Sequence, residues 1–204
     1  MEKNKMHVGK YTIIGSKPRP LLGRDADFSS EDNLNGENIW IGSFCNIGMN
    51  VSIGAGTIIS DGTFIEESVK IGSESLTAYR CTICSNVTIG NNCVIGGFIG
   101  ENTKIGNRCR IFGDIVHEHL EPLKDWDAET SQEKGPTIHD NVFIGFGAII
   151  TKPVEIYNNS YILPNSIVSE DVPPFHIVKN KNEMIHFTKW KGNLSKSDFF
   201  KQED

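Results

Sequence analysis

Isoleucine returns at every sixth residue through most of this chain. That spacing is a multiple of the strand period of two and does not match the helical 3.6, so each marked side chain falls on one face of an extended backbone. One register runs Ile41, Ile47, Ile53, Ile59, Ile65, Ile71, Thr77, Ile83, Ile89 and Ile95. It resumes at Ile99, Ile105 and Ile111, and after a gap at Ile138, Ile144, Ile150, Ile156, Ile162 and Val168. The next residue is often glycine, as in Gly42, Gly48, Gly54, Gly72, Gly90, Gly106 and Gly145, where a corner benefits from the missing Cβ. The fifth position of each unit is small or β-branched, from Cys45, Val51 and Thr57 to Ala148, Val154, Ser160 and Ser166. One large and one small inward side chain per unit can fill a narrow prism. Such units must stack, because one alone cannot bury a core.

The pattern resembles the hexapeptide-repeat family, which implies an all-β fold, a left-handed parallel β-helix with three short flat sides per coil. Coils would lie about 4.8 Å apart, each isoleucine resting on that of the next coil. The expected organisation is an N-terminal cap over 1–34, a β-helix over 35–173 interrupted by a loop at 117–137, and a tail over 174–204. The stretch Asn182–Trp190 is weakly periodic and is expected to form a short helix over the last coil. Between Ile95 and Ile99 the spacing falls to four, so one side of that coil should be two residues shorter. After Ile111 the next inward aliphatic is expected at position 117, where the chain has a histidine.

Composition narrows the function. Twenty basic residues against 26 acidic ones give a formal charge of −6 in 204 residues, which weighs against nucleic acid as a partner. No apolar run is long enough to span a bilayer, and MEKNKMHVGK lacks the apolar core of a signal peptide, so a cytoplasmic protein is expected. Cys81 and Cys84 form CxxC, yet Cys45, Cys81, Cys93 and Cys109 all take the small inward position. Buried reduced thiols are therefore expected, and no metal.

The excursion that begins at His117 is where chemistry is expected, since long irregular loops inside compact folds tend to be functional. The return, Thr137-Ile-His-Asp-Asn-Val-Phe-Ile-Gly145, and the later run Asn165-Ser-Ile-Val-Ser-Glu-Asp-Val-Pro-Pro174 resemble the hexapeptide acyltransferases, specifically the galactoside, maltose and xenobiotic acetyltransferases. The resemblance implies acetyl transfer from acetyl-CoA to a hydroxyl or amino group of a sugar or amino-sugar acceptor, in a homotrimer, with His117 as general base. An imidazole titrates near the working pH and suits that role. Asp114 and Glu121 are both candidates to orient the ring. His119 is a second candidate base, and Trp126 could cover the acceptor or stack on its ring. The loop is acidic: Glu118, Glu121, Asp125, Asp127, Glu129 and Glu133 face only Lys124 and Lys134.

By the same resemblance the donor site takes Gly145, Phe146, Pro164, Asn165, Ser166 and Ser169. The usual basic motif after the proline pair is replaced by Val178-Lys-Asn-Lys-Asn182, which leaves Lys152, Lys179 and Lys181 to face the donor's phosphates. Two other readings stand beside this one. A non-catalytic β-helix could serve as an assembly module. A trimeric zinc enzyme resembling the γ-class carbonic anhydrases would need a third histidine beside His117 and His119, with His139, His7, His176 and His186 as the remaining candidates.

Overall fold

The computed structural model of this chain describes residues 6–16, 37–116, 134–191 and 200. The six-residue beat becomes three sheets that share one axis. Sheet A has ten strands, from His7–Val8 to Glu183–His186; sheet B has eight, from Ile13–Ser16 to Ile167–Val168; sheet C has six, from Ser52–Ile53 to Glu155–Ile156. The chain visits A, B and C in turn, and about seven turns stack into a parallel β-solenoid of the left-handed β-helix type.

Register follows from the isoleucines. Ile41 pairs with Ile59, Ile47 with Ile65 and Ile53 with Ile71, and all are buried in one continuous core. Each fully buried side chain of this size contributes roughly 1.5–3 kcal/mol. Thr77 keeps the column unbroken because its hydroxyl is satisfied inside it, accepting from Ser60 N–H at 3.0 Å and meeting Thr63 Oγ1 at 3.1 Å. The small fifth residues complete the core, and their hydroxyls are likewise paired, Thr57 Oγ1 donating to the Gly72 carbonyl at 2.8 Å.

Two positions in each unit have different backbone demands. At the first, space is short wherever glycine stands: a Cβ on Gly90 would lie 2.6 Å from the Gly106 carbonyl oxygen of the next coil. The true corner falls two residues later, in left-handed conformation, at Asn50, Gly56, Asn86, Asn92, Asn141, Gly147 and Asn165. Asparagine and glycine tolerate that region at little cost.

The shortened side occurs as expected, Ile99 pairing with Ile83 and the strand Val94–Ile95 passing directly to Phe98–Ile99. A second short corner lies on top of it. Ile115, four residues after Ile111, is fully buried and pairs with Ile99 and Ile150. The inward aliphatic expected at 117 is therefore supplied by Ile115, and the column is intact up to the point where the excursion leaves.

The ends also differ from expectation. Within the stretch assigned to the cap, His7–Val8 and Ile13–Ser16 pair with Trp40–Ile41 and Asn46–Gly48 and begin sheets A and B. Val8 and Ile14 thus extend the beat by a partial coil. In the tail, His176–Lys179 and Glu183–His186 form an antiparallel hairpin, and a single 3-10 turn follows at Phe187–Lys189. Left-handed Asn180 and Asn182 make the reversal, and Ile177 and Val178 bury against the last coil, so strand pairing wins over the expected helix.

The two glycine roles separate in a stability measurement. Gly90→Ala should destabilise by about 1–3 kcal/mol, as overpacking does, whereas Gly56→Asn, at an open corner with φ +69°, should unfold at nearly the wild-type denaturant midpoint. Equal midpoints for the two variants would contradict this account.

Candidate active site

The excursion leaves from the edge where sheet B turns toward sheet C. Along that edge Gly100, Val116 and Thr151 stand above one another, each N–H donating to the isoleucine or valine carbonyl of the next coil: Gly100 to Ile115 at 2.8 Å, Val116 to Ile150 at 2.8 Å and Thr151 to Val168 at 2.9 Å. Ser169 continues the column. The chain returns on the other side of the same edge, where Pro136 accepts from Lys104 N–H at 2.9 Å and Thr137–Ile138 enters sheet C. His117, His119 and Trp126 lie outside the described residues, as does Glu121.

Asp114 sits on the outer face of sheet B, exposed, two residues before Val116. Its Oδ1 accepts from Phe98 N–H at 3.0 Å, which fastens the two short corners together.

The residues assigned to the donor frame one face. Gly145, Phe146, Pro164, Asn165 and Lys179 lie on the edge between sheets A and B, Lys152 and Ser169 on the edge between B and C, and Lys181 pairs with Ile167 of sheet B itself. Sheet B lies between the two edges. Phe146 is 67% exposed and its ring stacks on Phe112 at 4.7 Å. Gly145 has no room for a Cβ, which would lie 2.7 Å from Pro164 N. Asn165 is a left-handed corner whose N–H donates to the Phe146 carbonyl at 3.0 Å. Ser166 points into the core, its Oγ donating to the Val178 carbonyl, so its side chain is withheld from that face. Ser169 is clasped by Asn182, whose Oδ1 accepts from Ser169 N–H and whose Nδ2 donates to Ser169 Oγ, both at 2.8 Å. Lys152 and Lys181 are exposed.

Lys179 is part of a cationic hollow that the repeat pattern does not reveal. With Ile185, Lys189, Trp190 and Lys191 it lines a cavity of about 420 Å³ beside the C-terminal hairpin. Its Nζ lies 2.6 Å from Glu183 Oε1, and that amine, with a hydrogen bond from Asn180, holds the Glu183 carboxyl below its ordinary value.

Two further features escaped the isoleucine count. The residue before each inward isoleucine points outward, and on sheet C these are Ser52, Lys70, Thr88, Lys104, Thr137 and Glu155. On sheet A they are His7, Trp40, Ile58, Leu76, Val94, Arg110, Phe143 and Tyr161, and on sheet B Ile13, Asn46, Phe64, Thr82, Phe98, Asp114, Ile149 and Ile167. One face is polar and two are largely apolar, a contrast legible once that position is read as its own series. Second, His139 is fixed on the edge between sheets C and A: its Nε2 lies 2.6 Å from Glu155 Oε2, and its ring stacks on Tyr157 at 4.9 Å.

No family model matches the chain. Among curated proteins it is 32% identical over 107 residues to the bifunctional protein GlmU of Clostridium tetani, covering 50% of this chain and 21% of that one. It is 31% identical over 220 aligned positions to the GlmU of Thermoanaerobacter pseudethanolicus, covering 81% of this chain and 48% of that one. The chain thus spans half or less of the length of these relatives. Among solved structures, LpxA, a UDP-N-acetylglucosamine acyltransferase from Bacteroides fragilis, is 17% identical with a TM-score of 0.47, over 88% of this chain and 69% of that one. The chain is a hexapeptide-repeat protein of the left-handed β-helix type, and it is similar to the hexapeptide-repeat acyltransferases. Among the described residues no helix is long and apolar enough to cross a membrane.

The five cysteines are all unpaired and buried. Burial pushes the thiols of Cys81 and Cys84 up to about 12, with the carboxylates of Glu66 and Glu101 adding to the shift at Cys84. The CxxC pair is therefore protonated at neutral pH and turned to packing. An aromatic disulfide reagent at pH 8 should release almost no thiolate colour from the folded protein and five equivalents after denaturation. Rapid reaction of two thiols in the native state would return the pair to the list of chemical groups.

Proposed function

We propose that this chain is an acyltransferase that moves an acetyl group from acetyl-CoA to a hydroxyl or amino group of a sugar or sugar-containing acceptor, with His117 as general base. The observation that carries the reading is the place of the excursion. An unbroken column releases its chain directly after Val116, on an edge of the same sheet whose borders hold the assigned donor residues. His117 is the first residue beyond that point.

The acceptor attacks the thioester carbon directly. His117 takes the acceptor's proton as the new C–O or C–N bond forms; the C–S bond then breaks, and the imidazolium returns the proton to the leaving thiolate. A backbone N–H stabilises the oxyanion between these events. Lys179, Lys189 and Lys191, with Trp190 in the same cavity, replace the missing basic motif and hold the donor's phosphates and base. Lys152 and Lys181 stand on the same side of the column and supply further positive charge.

The assembly is a homotrimer. Two apolar faces beside one polar face suit a cyclic arrangement in which sheet B of one copy faces sheet A of the next and sheet C meets water. The exposed aromatics Tyr11, Phe44 and Tyr79 lie on the edge between A and B in the earlier coils, away from the assigned donor residues. The setting is cytoplasmic.

Acetyl-CoA offered with a panel of sugars and amino sugars should give acceptor-dependent thiol release, and His117→Ala should lower its rate by about 10²–10⁴, the usual contribution of a positioned base. A loss smaller than about tenfold would remove His117 from that role. The paired change Lys189→Glu and Lys191→Glu should raise the KM for acetyl-CoA and leave that for the acceptor in place; the reverse pattern would move the phosphates elsewhere.

A further inference from the structure

The C-terminal hairpin brings together two histidines that are distant in sequence. Left-handed Asn180 and Asn182 reverse the chain, and His176 becomes the direct cross-strand partner of His186. Side chains alternate along these strands, so both histidines fall on the face of Val178 and Met184, which pack against the core. The pair is half-buried at the rim of that face. Apolar rings stand beside it: the His186 centroid lies 5.1 Å from that of Phe187 and 6.5 Å from that of Phe175, and Phe200 stacks on Phe187 at 4.7 Å.

Each imidazole has one nitrogen committed. His176 Nδ1 lies 2.9 Å from the Pro174 carbonyl oxygen, and a carbonyl can only accept, so Nδ1 carries the proton and Nε2 of the neutral ring keeps a lone pair. His186 Nδ1 lies 2.8 Å from Thr188 Oγ1, a hydroxyl that can accept in the same way. Among the described residues neither Nε2 has a hydrogen-bond partner. A metal-ligating histidine needs this tautomer and this outer support, one nitrogen donating to a fixed oxygen and the other offering its lone pair. The spacing agrees. Two imidazoles on one tetrahedral zinc, with zinc–nitrogen bonds of about 2.0–2.1 Å, have ring centres about 5.2 Å apart. Square-planar coordination would put them at about 4.5 Å or about 6.3 Å. The centroids of His176 and His186 are 5.3 Å apart with planes at 83°, so neither ring stacks on the other.

We propose that His176 and His186 bind a zinc ion that clasps the two strands of the C-terminal hairpin, with water in its remaining positions. Among the described residues no three His, Cys, Asp or Glu side chains gather to hold an ion, so two protein ligands and an open coordination sphere define the site. The ion joins the strand that pairs with Tyr161–Ile162 to the strand that leads through Phe187–Lys189 into Trp190. Its binding therefore stiffens the wall of the cationic hollow, because Lys179, Ile185, Lys189 and Trp190 come from this same stretch of chain. The inference does not rest on the acyltransferase reading.

The test is a calorimetric titration of the whole chain, stripped with a chelator, with zinc chloride. The wild-type protein should take up an equivalent of zinc that His176→Phe and His186→Phe each weaken by about tenfold or more, the usual effect of disturbing a ligating histidine. Phenylalanine keeps a ring beside Phe175 and Phe187, so both variants should retain the thermal midpoint of the stripped wild type. Zinc should raise that midpoint in the wild type and leave it in place in the variants. Cobalt(II), used as a coloured probe, should show the strong visible band of a four-coordinate ion in the wild type and lose it in both variants. The combined change His117→Ala and His119→Ala should keep the equivalent and the band. Equal uptake by the wild type and both phenylalanine variants would overturn the inference, as would an equivalent that disappears with His117 and His119. So would a wild-type protein that binds no zinc at about 1 mM, or cobalt held only with the faint spectrum of a six-coordinate ion.

Discussion

Everything in this molecule depends on one coil lying flat on the next. The backbone ladder sets the separation, Gly42 N–H donating to the Ile59 carbonyl at 2.7 Å and Ser52 N–H to the Val69 carbonyl at 2.9 Å. At that separation each inward side chain rests on those directly above and below it, so a similar volume must recur at the same place in every coil. Isoleucine and a small partner satisfy this, and sequence periodicity is the visible trace of the requirement. Edges obey the same rule from outside: where the following coil comes close, only glycine fits without pushing a side chain into solvent. A bulky residue on an edge is thus an outward feature by construction.

This explains which parts of the structure could be read from the chain. The fold, the register from Ile41 to Ile95 and the short corner at Ile99 all rest on the inward series, which is nearly invariant because packing leaves few alternatives. Ile115 escaped because the count held to six, while two stacked short corners preserve register only as a pair: Gly96-Gly97 would have had no match above it without Phe112-Gly113. The N-terminal strands escaped because, among the described residues, the first coil has a neighbour on one side only. Val8 is accordingly 41% exposed, and its beat is diluted by polar surroundings.

The candidate site rests on a different kind of signal, and again the reasons are physical. An interruption in a strict period is conspicuous, so the departure after Val116 could be placed from sequence. The partners of outward side chains belong to no period. His139 and Glu155 are sixteen residues apart and meet only because one coil intervenes; Lys179, Lys189 and Lys191 converge only because a hairpin, and not a helix, closes the column. Ser166 shows the converse, since the repeat itself assigns it inward and its hydroxyl is spent on the Val178 carbonyl.

A column of this kind separates stability from chemistry unusually cleanly. The inward residues answer to the neighbouring coils, and even Cys81 and Cys84 are held as protonated packing groups. Chemistry is then confined to edges, to outward faces and to whatever leaves the column. The hollow beside the C-terminal hairpin fits that division, since it is built by the chain that follows the last coil and not by the repeats.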